Sequence, residues 1–420
     1  MRGLVLLMAG LHPWCATGSE GPIDVGEHTV RSPSSLPAAS DVVAVLSREG
    51  LLAQQSALQA ICARLEDARG PVPIRELAGS TLANVYSFQG DYLAAARAFP
   101  ESLSVSGGLE IPLPTPDSFR AHDATEHISE LARSRRLVIV NEVHHQAQTR
   151  WLPLLLLPRL RALGYEYLAL EALSEEGDAL ARRGYADARS GSFTNEPIYA
   201  EMIRVALQLG YKLVGYDVVP SAGASGREAA QAKTLAAVLA DNPATKMLVL
   251  AGYRHASKND DGDRGGTLAT RLQRLGLNPL TVDQTAALDP RMTRLAMDLR
   301  IEAPSVLLGR GGDGWSAASR HYDLTVLLPD PQERRGRPAW VGMGGFRREL
   351  AIQGSVCGGR RPCMVEARHS SDGDDAVPAD RFVLREPDQR AYLYLAPGRY
   401  RLSGVDENNQ RFAGEMIDID

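Results

Sequence analysis

The chain has 420 residues, of which 44% are apolar and 23% charged, with a net charge of −5. At about 100–200 residues per domain, this is two to four domains of ordinary globular composition. A collagen, a wholly disordered chain and a polytopic membrane protein are excluded. The small negative charge argues against a basic nucleic-acid-binding surface, so no nucleic-acid partner is expected.

In chain order, Met1-Arg2 precedes a short apolar run over residues 3–11, then Pro13 and the small residues Ala16, Thr17 and Gly18. That is the layout of a secretory signal peptide, assigned to residues 1–20. The run is far shorter than the ~20 residues that span a bilayer. The mature chain is therefore expected to be exported, periplasmic or secreted, and not integral to a membrane. Cys15 is not read as a lipidation site, because His12, Pro13 and Trp14 are bulky where a lipobox has small residues. Export permits disulfides. Cys357 and Cys363 flank a Gly-Gly-Arg-Arg-Pro turn and are expected to pair, whereas Cys62 lies on an apolar helical stripe and reads as a buried thiol.

Residues 21–40 are rich in Gly, Ser and Pro and read as a disordered linker. Residues 41–115 read as a helical region. Val43, Leu46, Leu51, Leu58 and Ile61 recur at helical spacing between Asp41 and Glu66. Over 75–100, two short helices meet at Gly90 with the spacing of one tetratricopeptide-like pair. A single pair cannot form a solenoid, so a helical hairpin packed on the main domain is expected.

From 116 to 345 short β-rich runs alternate with helical stretches. Strands are predicted at Arg136–Asn141, Tyr165–Leu170, Lys212–Tyr216, Met247–Ala251 and Pro279–Val282, followed by Ser305–Leu308 and Asp323–Leu328. Helices are predicted at 148–163, 198–210, 226–241 and 266–276. The alternation predicts an α/β fold, a mainly parallel sheet with helices on both faces. Residues 346–420 carry strand-like runs at Phe382–Leu384, Ala391–Leu395 and Arg399–Leu402 and read as a small β-sandwich-like domain.

Ligands of an open parallel sheet bind outside the carboxyl ends of its strands. Five consecutive predicted strands deliver ionisable residues to that edge: Glu142, His144 and His145, then Glu171, then Asp217, then His255, then Asp283. Mutual repulsion makes such a gathering costly unless a metal or a proton-transfer reaction uses it. Glu142, His144, Glu171 and His255 are the principal candidates. Asp217 and Asp283 read equally well as turn or cap residues. Arg227 opens the helix after the third strand, where the macrodipole disfavours a cation unless it meets an anion. A substrate anion, a site glutamate or the neighbouring Glu228 would serve. His145 reads as a supporting partner, and His122 and His127 as surface residues on a helix. No GxSxG, P-loop, HExxH or strand-borne GxGxxG occurs. Asp260, Asp261 and Asp263 lack the later carboxylate of a calcium loop.

Three short segments, Asn141-Glu142-Val143-His144, Leu168-Ala169-Leu170-Glu171 and Gly252-Tyr253-Arg254-His255, together with Arg227-Glu228 at a helix start, carry a resemblance. Over about 120–345 the chain resembles the superfamily that joins erythromycin-esterase-like proteins, ChaN-type haem-binding lipoproteins and the Tiki/TraB proteins. Asn141 stands where those proteins have glycine, and Asn tolerates a left-handed backbone better than most residues. The resemblance implies an exported hydrolase acting on a small-molecule or peptide substrate. In one version Glu142, His144, Glu171 and His255 hold a divalent metal (zinc, manganese or iron) that activates water. In another, His144 is a general base steered by Glu142 or Glu171, with Arg227 or His255 stabilising the oxyanion. The alternatives are a non-catalytic haem- or ligand-binding envelope protein and a scaffold with a vestigial site.

Overall fold

A computed structural model describes residues 36–100, 113–115, 118–171, 173–217, 223–259, 265–352, 354–387 and 389–420. The expected signal peptide, linker residues 21–35 and Asp260–Asp263 lie outside the described residues.

Apolar runs flanked by turns make the strands β1 (Phe119–Asp123), β2 (Leu137–Glu142), β3 (Tyr165–Leu170), β4 (Lys212–Gly215), β5 (Lys246–Gly252), β6 (Leu280–Asp283), β7 (Ser305–Gly309) and β8 (Leu324–Leu327). They form one sheet in the order β1-β7-β8-β6-β2-β5-β3-β4. All neighbours from β8 to β4 pair in parallel, and β7 alone runs against them. The expected α/β class is therefore found, with one antiparallel strand inside it. β1 was not expected, and it places His122 on an exposed edge strand instead of a helix.

The strand period of two sorts each strand's side chains onto two faces. Val138, Val140, Leu168, Leu170, Leu248 and Leu250 face one core. That core is covered by α5 (Ala124–Ala132), α6 (Trp151–Ala162) and α8 (Pro197–Gln208). Leu137, Ile139, Ala169, Met247, Val249 and Ala251 face the other, covered by α9 (Gly223–Ala240) and α10 (Leu268–Arg274). Each fully buried aliphatic side chain contributes about 1.5–3 kcal/mol. A sheet covered on both faces is thus the stiff frame that fixes the strand ends. The chain also forms α7 (Gly177–Arg183) and α11 (Pro290–Asp298) between strands.

At the N-terminus, α1 (Ala39–Val45) begins inside the expected linker and is separate from α2 (Leu51–Asp67). The helical spacing between Asp41 and Glu66 is carried by these two helices, and Gly50, at a positive φ of 83°, is the N-cap of the second. Next come α3 (Val72–Phe88) and α4 (Tyr92–Ala98), which meet at Gly90. A Cβ on Gly90 would lie 2.3 Å from the Arg381 carbonyl oxygen, so only glycine lets this turn press on the C-terminal β region. Arg381 in turn donates to the Phe88 and Asn195 carbonyls at 2.8 Å each. Hairpin, α/β core and C-terminal region are tied at one point.

The C-terminal region is all-antiparallel. After the short pair β9 (Glu333–Arg334) and β10 (Arg337–Pro338), β11 (Arg348–Ile352) pairs with β14 (Ala391–Leu395). β12 (Cys363–His369), β13 (Asp380–Leu384), β15 (Gly398–Asp406) and β16 (Arg411–Ile419) form a second sheet in the order β13-β12-β15-β16. The two share a core that includes Ile352, Leu393, Val365 and Leu402. Cys357 and Cys363 are joined by a disulfide. Cys62 is half-buried where full burial was expected, and its partial burial pushes the thiol pKa up.

Candidate functional site

The sheet sets β2, β5, β3 and β4 side by side, an order that differs from their succession in the chain. Their carboxyl ends carry the residues singled out above. Glu142 ends β2, and His144 follows it by two residues. Glu171 directly follows β3, Asp217 lies two residues beyond β4, and His255 sits in the 3-10 turn Tyr253–Ala256 after β5.

His144 is 4% exposed and Glu142 3%. Glu142 Oε1 meets His144 Nδ1 at 2.9 Å. The His144 ring stacks on Phe193, with centroids 4.1 Å apart, and meets the Tyr253 ring edge-on at 5.0 Å. Its far edge lies over Gly252, where an added Cβ would fall 2.8 Å from His144 Nε2 and 3.0 Å from Glu171 Oε2. Glycine at 252 therefore leaves the room that lets β2 and β3 bring a base and a carboxylate together. Tyr253 takes φ 46°, a left-handed conformation costly for a bulky residue and of the kind that gathers at functional sites.

A second cluster surrounds Glu171. Arg227 Nη2 donates to Glu171 Oε1 at 2.7 Å and to Asp217 Oδ2 at 2.8 Å, while its Nε donates to Asp217 Oδ1 at 2.8 Å. His255 Nε2 lies 3.2 Å from Glu171 Oε1, and its Nδ1 lies 2.7 Å from Glu228 Oε1. The Gly252 N–H donates to Glu171 Oε2. Arg227 thus meets two site carboxylates rather than Glu228, which serves His255.

The electrostatics follow from these contacts. Burial pushes the Glu142 carboxyl up, but Arg150 and the His144 bond outweigh it and hold it below the usual range. Glu171 is likewise raised by burial and lowered further still by His255 and Arg227. Burial opposes a charge on His255, yet Glu171 and Glu228 lift its pKa well above the ordinary 6.5. His255 is therefore cationic at neutral pH. His145 is buried with its ring edge-on to Phe99 at 5.7 Å, and that burial drops its pKa to about 3. It stays neutral, with Phe99 and Gln146 against its ring.

Asp283 does not join the site. Its Oδ1 accepts from Asn141 Nδ2 at 2.7 Å and from the Thr285 hydroxyl at 2.6 Å, and burial without a cation raises its pKa. It ties β6 to β2.

Three contributors escaped the sequence reading. Arg150, in the 3-10 turn Ala147–Arg150, donates from Nε to Glu142 Oε2 at 2.7 Å and from Nη1 to Glu196 Oε2 at 2.9 Å. Glu196 is the N-cap of α8, and Tyr92 on α4 donates to its Oε1 at 2.8 Å. Asn195-Glu196-Pro197 carried a start signal, an acidic cap before a proline at the first helical position. An arginine opening the otherwise apolar stretch Trp151–Leu157 was the other signal, because unpaired arginine is seldom buried.

The donor set bears on the metal and haem versions. Both oxygens of Glu142, Glu171 and Asp217 already accept hydrogen bonds or ion pairs, and His255 meets a carboxylate through each nitrogen. A divalent ion would have to displace a guanidinium or an imidazole. Among the described residues no group of three or more His, Cys, Asp or Glu has a ligand arrangement. As arranged, the residues do not fit a metal centre. Of the His144 and His255 nitrogens, only His144 Nε2 is left without a carboxylate for a haem iron.

At the same edge of the sheet, a groove of about 280 Å³ is lined by Tyr92, Trp340, Gln146, Gln148, Leu288 and Pro329.

No family model matches the chain, and no curated protein matches it. A solved chain described as "Bacterial protein toxins" is similar over 53% of this chain and 47% of its own length, at 17% identity and a TM-score of 0.31. The match spans about half of that chain. A likeness at this level assigns neither fold nor function. No described helix is long and apolar enough to cross a membrane.

Proposed function

We propose that this protein is an exported hydrolase whose general base is His144, acting on an ester or amide of a small molecule or peptide. The observation that carries the reading is the 2.9 Å contact between Glu142 Oε1 and His144 Nδ1. A proton on Nδ1 donated to Glu142 fixes the tautomer and leaves the Nε2 lone pair to take a proton from water. The hydroxide formed attacks the carbonyl carbon. The oxyanion gathers charge in the field of the cationic His255 and Arg227, which keep their bonds to Glu171, Asp217 and Glu228, and the His144 imidazolium returns its proton to the leaving group. General-base catalysis of this kind supplies about 10²–10⁴-fold. The apolar groove at the same sheet edge supports a substrate with an apolar portion. The esterase-like branch of the resemblance implies the same reaction class. The Cys357–Cys363 bridge supports export, since such bonds persist in oxidising compartments.

The test is a hydrolysis screen of esters and amides with the chain after residue 20, before and after chelation, with metal content and the visible spectrum recorded. The expected result is chelator-resistant hydrolysis that His144→Ala lowers at least ~100-fold. Activity abolished by chelation with stoichiometric metal lost would replace this reading with the metal version. A Soret band with no hydrolysis would replace it with haem binding. Hydrolysis unchanged in His144→Ala would overturn it.

A further inference from the structure

We infer that the N-terminal hairpin is part of the active-site machinery, with Tyr92 acting as a positioning residue for His144. The inference rests on the general-base reading and deepens it. Four consecutive buried contacts join the two residues. The Tyr92 hydroxyl donates to Glu196 Oε1 at 2.8 Å. Arg150 Nη1 donates to Glu196 Oε2 at 2.9 Å. Arg150 Nε donates to Glu142 Oε2 at 2.7 Å. Glu142 Oε1 then meets His144 Nδ1 at 2.9 Å. Tyr92, Glu196, Arg150, Glu142 and His144 are all buried, so solvent does not screen this chain.

Each link has a consequence for the next. Glu196 and Glu142 share one guanidinium, so whatever neutralises Glu196 sets how much of Arg150 is available to Glu142. Glu196 accepts from Tyr92 and from the backbone N–H groups of Ile198 and Tyr199. The two backbone donors belong to the cap of α8 and would be there without the hairpin. Tyr92 is the donor that the hairpin adds. Arg150 also donates from Nη2 to the His144 carbonyl at 2.6 Å, so a shift in Arg150 moves both the carboxylate and the backbone that hold the imidazole. Tyr92 is itself held in place by Trp340, ring centroids 5.0 Å apart, and by the Arg337 guanidinium over its ring at 5.6 Å. The C-terminal side of the chain therefore braces the same tyrosine. A helix present only to cover apolar surface has no need of a hydroxyl aimed at a buried carboxylate.

The test reads the Glu142–His144 bond directly. In protein labelled with ¹⁵N-histidine, the His144 Nδ1–H proton is assigned by its loss in Glu142→Ala, which removes the acceptor. Its exchange with solvent is then compared in the wild type, Tyr92→Phe and Glu196→Gln, with Tyr211→Phe as a control. Tyr211 is another buried tyrosine, whose hydroxyl donates to the Leu157 carbonyl at 2.8 Å away from this chain of contacts. The expected result is at least roughly tenfold faster exchange in Tyr92→Phe, the factor that the lower end of the worth of a hydrogen bond to a charged group gives. A larger acceleration is expected in Glu196→Gln and none in Tyr211→Phe. Exchange in Tyr92→Phe equal to wild type, with the signal still lost in Glu142→Ala, overturns the role of Tyr92 and leaves the His144 base standing. Equal acceleration in Tyr211→Phe shows general loosening and also overturns it. A signal that survives Glu142→Ala overturns the dyad and the inference together.

Discussion

Two arginine–carboxylate clusters flank His144, and they are built differently. On one side Arg150 lies between Glu142 and Glu196 with no exposure at all. On the other, Arg227 lies between Glu171 and Asp217 with its side chain 11% exposed, beside His255 at 18%. The first cluster touches the base and is sealed from water. The second holds two cations and reaches solvent. An orienting network gains from burial, because low dielectric strengthens each bond, whereas a cation meant for a substrate must stay reachable. Under the proposed hydrolase reading, the contrast separates a part that holds the base from a part that meets the reacting group.

The largest test of that contrast is the cost of removing each arginine. Arg150→Ala leaves two buried carboxylates without a cation and is expected to cost about 3–5 kcal/mol in urea unfolding. Arg227→Ala leaves its carboxylates with His255 and with solvent, and about 1–3 kcal/mol is expected. Equal costs would erase the distinction. A smaller effect is expected at the point where the clusters meet. Gly252→Ala puts a Cβ 2.4 Å from His144 Cε1, so it should cost about 1–3 kcal/mol by overpacking and displace the base, with hydrolysis falling more than stability explains. A stable, fully active Gly252→Ala would show that His144 Nε2 is not used.

The pH dependence gives the finest distinction, because the two sides respond in opposite windows. His145, behind the sealed cluster, has a folded pKa of about 3 against an ordinary 6.5. The unfolded chain binds that proton first. Stability is therefore lost as pH falls below 6.5 toward 3, by about 1.4 kcal/mol per pH unit. His255 has its pKa raised above 6.5, so its contribution is complete below 6.5 and is lost as pH rises through the folded value. Urea midpoints of His145→Phe should lose the His145 part of the acid-side slope and keep the alkaline one. An unchanged acid-side slope would show that His145 is not held neutral. Below 4.5 the depressed Glu142 and Glu171 add a further acid loss in both proteins.

Much of the frame was legible because strands and helices are written locally. Leu137–Val140 and Met247–Ala251 are continuous apolar runs, the mark of parallel strands covered on both faces, and their ends follow at once from where the run stops. Glu142, Glu171 and His255 could be named from those ends alone. The edge strand β1 was not legible, since Phe119–Asp123 carries two charges and a histidine and exists by pairing with β7.

Which residues reach the carboxyl edge of the sheet follows from local sequence, because a strand's span and the residue after it depend on a few neighbours. Their partners are set by the assembled fold. The order β2-β5-β3-β4 put His144 beside Glu171 across Gly252. The docking of a hairpin more than a hundred residues away gave Glu196 its tyrosine. A carboxylate accepts any donor that arrives. Which one arrives is settled by chain topology and packing, and neither is encoded in the spacing of nearby residues.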